Sequence, residues 1–292
     1  MAQSLFADYR PQESRLVCID SDGCAFDTME IKHKECFCPA FIQVFGLQPI
    51  SKYAREVWEY GNLYSVHRGR SRFIEVILCF DWLEQREEVK RLGFQLPDIS
   101  SFRHFMKTSS VVNNDTIRAE AEKGDPVMAM VLEWSLESNR RIAEMVHGIP
   151  PFPGVKDSLN KLRGQADIAI VSATNPQALR QEWTEHHMIQ DVHRLCSQED
   201  GTKKECIAGM KPWYKPENVL MIGDAPGDLE AAHENGVLYF PIRPGEEVES
   251  WQEFYAEGID RFLKGAYQGA YEEQLIARFR KCLPDTPPWE TK

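Results

Sequence analysis

The chain has 292 residues, 42% hydrophobic and 27% charged, a globular balance that excludes a disordered or low-complexity protein. That length favours two medium domains over one. A formal net charge of -11 and an isoelectric point near 5.3 repel a phosphate backbone, so nucleic acid is excluded as the expected partner.

Residues 1–14 are charged and polar without a long apolar stretch and do not read as a signal peptide. The first predicted element is a strand, Leu16-Val17-Cys18-Ile19, apolar on every side as in a parallel sheet covered on both faces. From about 29 to 147 the texture changes to helical spacing, with Tyr53, Val57, Tyr60 and Tyr64 on one face and Val127, Val131 and Trp134 on another. The richest apolar run there, Phe73 to Phe80, is broken by Glu75 and too short to span a bilayer, so no membrane association is expected. The Pro-rich stretch Ile149-Pro150-Pro151-Phe152-Pro153-Gly154 reads as the return hinge.

Beyond the hinge, strand and helix alternate. Val155, Leu159 and Leu162 predict a helix, Ile168 to Val171 a strand, and Leu179 with Trp183 a second helix. A further strand runs from Val219 to Ile222, and two helices follow Phe240, around 246–263 and 267–282. This order predicts an α/β fold, a Rossmann-like doubly wound parallel sheet with an inserted all-helical domain. The core is expected over 1–28 and 148–292, the insertion over 29–147. The 8 cysteines form no CxxC pair, and Cys18 and Cys79 lie inside apolar runs, a usage expected of reduced thiols in the cytoplasm.

Chemistry-bearing residues gather where strands end, which is where doubly wound sheets bind ligands. Asp20-Ser21-Asp22-Gly23 follows the first strand, and Gly223-Asp224-Ala225-Pro226-Gly227-Asp228 follows the third. Ser172-Ala173-Thr174-Asn175 follows the second and offers a hydroxyl and backbone N–H groups at a helix start, a cradle for phosphate oxygens. Lys203 and Lys204 open a short helical stretch between them; Lys203, four residues before Ile207, is the better placed, with Lys204 as the alternative. Phosphoryl transfer needs such a set, because a phosphate monoester repels an attacking carboxylate until a cation screens it. Magnesium, which prefers oxygen ligands, is the expected cofactor, with Asp20 and Asp224 supplying carboxylates. Asp20 is the expected nucleophile and Asp22 the proton donor to the leaving group.

In this order the residues resemble the haloacid dehalogenase (HAD) superfamily, in its phosphatase branch with a helical cap, and are similar to phosphoglycolate phosphatase and beta-phosphoglucomutase-like proteins. Asp20 to Gly23 looks like the first motif, Ser172 the second, Lys203 or Lys204 the third, and Gly223-Asp224 with Asp228 the fourth. The resemblance implies magnesium held by Asp20, the Asp22 carbonyl and Asp224, with Asp228 supporting them, and phosphate bound by Ser172, Ala173 and Lys203. Where the family continues with Gly-Thr-Leu this chain reads Gly23-Cys24-Ala25, and a thiol is a weaker donor than a hydroxyl, which bears on how Asp22 is held.

Arg68, Arg70 and Arg72 form a basic run in the helical insertion, either a solvated turn or a contact for an anionic substrate. His33, Cys36 and Cys38 lack a fourth zinc ligand nearby. The expected activity is hydrolysis of a small phosphorylated metabolite. A phosphosugar mutase and a non-catalytic phospho-ligand-binding protein are the alternatives, and the oligomeric state stays open.

Overall fold

A computed structural model describes residues 6–290. Five strands form one parallel sheet: β1 (Leu16–Ile19), β2 (Asp167–Val171), β3 (Arg194–Cys196), β4 (Val219–Gly223) and β5 (Leu238–Pro241), in the order β3-β2-β1-β4-β5. The order in which strands are added reverses at β1, which pairs with β2 on one side and β4 on the other, so the carboxyl ends of β1 and β4 flank the switch point. Continuous apolar runs belong in such strands because both faces are covered. Val17, Ile19, Ile168, Ile170, Leu220 and Ile222 enter one buried cluster, and Leu16, Cys18, Ala169, Val171, Val219 and Met221 enter another. The α/β Rossmann-like class expected from the sequence is what the fold shows. Strands β3 and β5 are additions to that reading.

By contact density the described chain divides into two units, residues 30–147 with 286–290, and residues 6–29 with 148–285. The first contains helices and no strand among its described residues: α1 (Cys38–Val44), α2 (Ser51–Leu63), α3 (Arg72–Gln85), α4 (Ser100–Thr108), α5 (Asn114–Ala121) and α6 (Pro126–Met145), besides shorter turns. Its centre is aromatic. Phe41 and Trp58 stand 5.1 Å apart, and Trp58 meets Trp134 edge-on at 5.8 Å, arrangements that add to the gain from burial alone. Trp289, from the last described residues, packs in this unit, edge-on to Tyr60 at 5.3 Å and under the Arg86 guanidinium at 4.7 Å. Arg86 also pairs with Glu56 at 2.6 Å.

The second unit carries the sheet and the helices that cover it: α7 (Val155–Leu162), α8 (Pro176–Glu185), α9 (Lys203–Met210), α10 (Pro226–Asn235), α11 (Glu247–Glu253) and α12 (Ala270–Cys282). Gly154, at φ 97, makes the turn into α7, with the Trp251 side chain against it, so the Pro-rich hinge ends on a backbone that favours glycine. Asn175 caps α8 by accepting from the N–H groups of Gln177 and Ala178, with Pro176 at the first position. Thr202 and Glu205 form a reciprocal capping box at α9. Phe262 and Tyr267 are buried in this core. No helix among the described residues is long and apolar enough to cross a membrane.

Candidate active site

Asp20 is the first residue after β1, and its N–H continues the ladder by donating to Ile222 O at 3.0 Å. One carboxylate oxygen, Oδ1, accepts from the Ser21 N–H at 2.8 Å; the other, Oδ2, meets Lys203 Nζ at 2.6 Å. The same ammonium meets Asp228 Oδ1 at 2.5 Å. Lys203 is therefore the lysine at this strand edge, while Lys204 is exposed and pairs with Glu234.

Asp228 has a second task. Its Oδ2 accepts from the N–H groups of Asp224 and Ala225, both at 3.1 Å, which fixes the turn from β4 into α10. Gly223 is required by this closure: a Cβ there would collide with the Asp228 side chain. Asp20, Asp224 and Asp228, all buried, offer oxygens within 4.8 Å of one another.

Burial pushes the Asp20 carboxyl up, with Lys203 opposing and Asp228 and Asp224 adding to the rise. Burial also works against the Lys203 charge, but Asp20 and Asp228 outweigh it and hold the ammonium protonated. Asp20 and Asp228 thus share one ammonium with Asp224 close by, and such a cluster of buried carboxyl groups is what a divalent cation would balance. An all-oxygen set of this kind fits magnesium rather than a softer metal. His33, Cys36 and Cys38 do not join such a group; the acidic triad is the only metal-capable group among the described residues.

Asp22 is held separately. Thr28 Oγ1 donates to its Oδ1 at 2.5 Å, and Thr174 Oγ1 donates to its Oδ2 at 2.8 Å. Cys24 takes no part: its fully buried thiol donates to Ile222 O at 3.6 Å, in the core beneath the loop. Burial pushes that thiol well up, so it stays protonated and inert. The hydroxyl missing at position 24 is thus replaced by two from elsewhere in the chain.

Ser172 lies at the end of β2, nearly buried, and its Oγ accepts from the Thr174 N–H at 3.2 Å; Ala173 beside it is exposed. The three arginines of the basic run are not brought together. Arg68 is buried and donates to Leu63 O at 3.0 Å, Arg70 is exposed, and Arg72 lies over Phe73 at 5.2 Å while donating to Asn139 Oδ1 at 2.7 Å. Thr28 and Thr174 carry no signal in their local sequence as partners of Asp22. Only the hydroxyl-rich text after β2 hints at the second.

A doubly wound parallel sheet with an acidic triad and a lysine at its carboxyl edge defines a class of hydrolase. The chain belongs to the haloacid dehalogenase-like hydrolase family, whose family model matches residues 81–241, more than half of it. That match takes in Ser172, Lys203, Asp224 and Asp228 but not Asp20 or Asp22. No curated protein matches the sequence. Among solved structures, the chain is similar to a putative phosphoglycolate phosphatase from Lactobacillus delbrueckii subsp. bulgaricus, at 12% identity and a TM-score of 0.51 over 86% of this chain and 99% of that one. It is also similar to a putative beta-phosphoglucomutase from Bacteroides vulgatus, at 12% identity and a TM-score of 0.43 over 91% and 97%. A haloacid dehalogenase-like family hydrolase from Streptococcus pneumoniae matches at 16% identity and a TM-score of 0.42 over 82% and 90%. At 12% identity the first of these likenesses speaks for the fold alone.

Proposed function

We propose that the protein is a magnesium-dependent phosphohydrolase that takes the phosphoryl group of a small phosphorylated metabolite onto Asp20 as an aspartyl-phosphate. The observation that carries this reading is the ion-paired set of Asp20, Lys203 and Asp228 beside Asp224, with Asp22 kept apart on two hydroxyls.

Asp20 attacks phosphorus, and the bond to the leaving oxygen breaks as Asp22 delivers its proton there. Asp22 then takes a proton from the water that attacks the aspartyl-phosphate, which frees inorganic phosphate and restores Asp20. A hydroxyl can turn to accept as readily as it donates, so Thr28 and Thr174 suit both protonation states of Asp22. Lys203 neutralises a phosphoryl oxygen, and the hydroxyl of Ser172 with the N–H of Ala173 receives the others. Magnesium, when bound, would be held by Asp20, the Asp22 carbonyl and Asp224, supported by Asp228, and would screen the charge between nucleophile and substrate. In this reading residues 29–147 are the cap that excludes water during the first step, and the basic run of Arg68, Arg70 and Arg72 lies within it.

The test is release of inorganic phosphate from p-nitrophenyl phosphate and from a panel of phosphorylated metabolites, with magnesium and with EDTA. Magnesium-dependent release by the wild type, abolished in Asp20→Asn, is expected. Formation of a phosphate isomer would make the protein a mutase. Inactivity across the panel, with phosphate compounds still bound, would make it a non-catalytic binding protein.

A further inference from the structure

Ser21 stands between the two aspartates, and its side chain has no part in the reaction above. It is fully buried, yet polar. Its Oγ donates to Glu182 Oε2 at 2.7 Å and accepts from Trp183 Nε1 at 2.9 Å, both residues of α8. The main chain of the same residue organises the whole turn. The Ser21 N–H donates to Asp20 Oδ1, and the Ser21 carbonyl accepts from the N–H groups of Ala25 at 2.9 Å and Phe26 at 3.0 Å.

A buried hydroxyl costs free energy unless both its donor and its acceptor are used, as they are here, and an apolar residue in its place would leave the buried Trp183 N–H without its acceptor. What the hydroxyl adds is direction. Two hydrogen bonds of opposite sense fix the side-chain rotamer, and with it the plane of the peptide whose N–H faces Asp20. The segment after β2 touches the loop twice: Thr174, in the turn before α8, donates to Asp22, and Glu182 with Trp183, about two turns into α8, grips Ser21. The turn and the helix it leads into therefore set both aspartates relative to Ser172, which follows β2.

We propose that Ser21, together with Glu182 and Trp183, is a positioning residue for the phosphoryl transfer proposed above. The inference rests on that reading, and it assigns the Ser21 side chain to holding Asp20 and Asp22 in register with the phosphate cradle. It predicts a loss of rate rather than of affinity, because a nucleophile displaced by about 1 Å loses on the order of 100-fold in the chemical step.

The experiment compares wild type, Ser21→Ala, Ser21→Cys, Glu182→Ala and Glu182→Gln on the phosphate ester that the wild type hydrolyses best. Ser21→Cys keeps a polar hydrogen at the same position but weakens the donor, so a result survives even where Ser21→Ala folds poorly. Expected are a 10- to 100-fold fall in kcat for Ser21→Ala, Ser21→Cys and Glu182→Ala, on the order of the misplacement cost above, with KM within about 2-fold. Glu182→Gln, which keeps an acceptor oxygen, restores most of what Glu182→Ala loses. The indole N–H resonance of Trp183, assigned through Trp183→Phe, reports the hydrogen bond without reference to activity. A shifted Trp183 resonance in Ser21→Ala with kcat unchanged sinks the inference while leaving the phosphohydrolase reading intact. A wild type that hydrolyses no phosphate ester overturns both.

Discussion

Thr174 Oγ1 and Asp22 Oδ2 are 2.8 Å apart although 152 positions separate the two residues in sequence. The bond joins the loop that follows β1 to the loop that follows β2, and with Thr28 on the other oxygen it holds the carboxyl group without help from Cys24. Thr174→Val and Thr28→Val are each expected to lower kcat about 10-fold, a fraction of what general acid–base catalysis supplies, with little change in KM. Cys24→Thr is expected to leave kcat within about 2-fold, because that side chain faces the Ile222 carbonyl. A large gain from Cys24→Thr would show that Asp22 is under-supported.

The two neighbouring lysines make a sharp comparison. Lys203→Met leaves Asp20 and Asp228 as buried carboxylates without their ammonium, and activity is expected to fall at least about 1,000-fold. Lys204→Met breaks one exposed pair with Glu234 and is expected to stay within about 2-fold in activity with its thermal unfolding unchanged. Equal losses in steady-state kinetics would refute the distinction.

Gly223→Ala tests the close approach of the β4 end to Asp228. The added methyl has to displace the Asp228 side chain that anchors the Asp224 and Ala225 N–H groups. A destabilisation of about 1–3 kcal/mol in thermal unfolding is expected, together with loss of turnover. An unchanged melting temperature would mean that the turn has slack.

Glu75 gives the stability a pH dependence with a definite sign. It is fully buried in α3, neither carboxyl oxygen has a hydrogen-bond partner among the described residues, and one lies against Gly61. Burial pushes its pKa from 4.5 up to about 8, with Arg70 opposing. The folded state therefore keeps a proton that the unfolded chain gives up, so the contribution is fully present below 4.5 and is lost as pH rises towards about 8. Glu75→Gln should melt like wild type near pH 4.5 and several degrees higher near pH 8.5, with about 1.4 kcal/mol separating the two for each pH unit between the pKa values. Melting curves that stay parallel across this range would show that Glu75 is solvated.

Much of this was legible in the sequence, and what was not has physical reasons. Leu16 to Ile19, Ile168 to Val171 and Val219 to Ile222 announce themselves because central parallel strands are apolar on both faces. β3 did not, being three residues long with Arg194 and Leu195 only half buried. β5 ends on a proline and offers only Leu238, Tyr239 and Phe240 as a run. Asp20 and Asp224 follow their strands directly, so position alone marks them. The partners of Asp22 are Thr28 and Thr174 and those of Ser21 come from α8, pairings that no local pattern encodes. The basic run at 67–72 reads as one charge cluster, but Arg68 turns inward and Arg72 lies on aromatic rings.

The seating of Trp289 among Tyr60, Trp82 and Arg86 bears on how the chain is assembled during synthesis. Residues 30–147 leave the ribosome long before residue 289, and until then Tyr60 and Trp82 lack one of their aromatic neighbours. The sheet unit is therefore begun first, with β1, and completed by residue 285, while the helical unit, begun after it, is finished last. A chain cut after residue 285 would keep the whole sheet unit but leave the helical one open on this side.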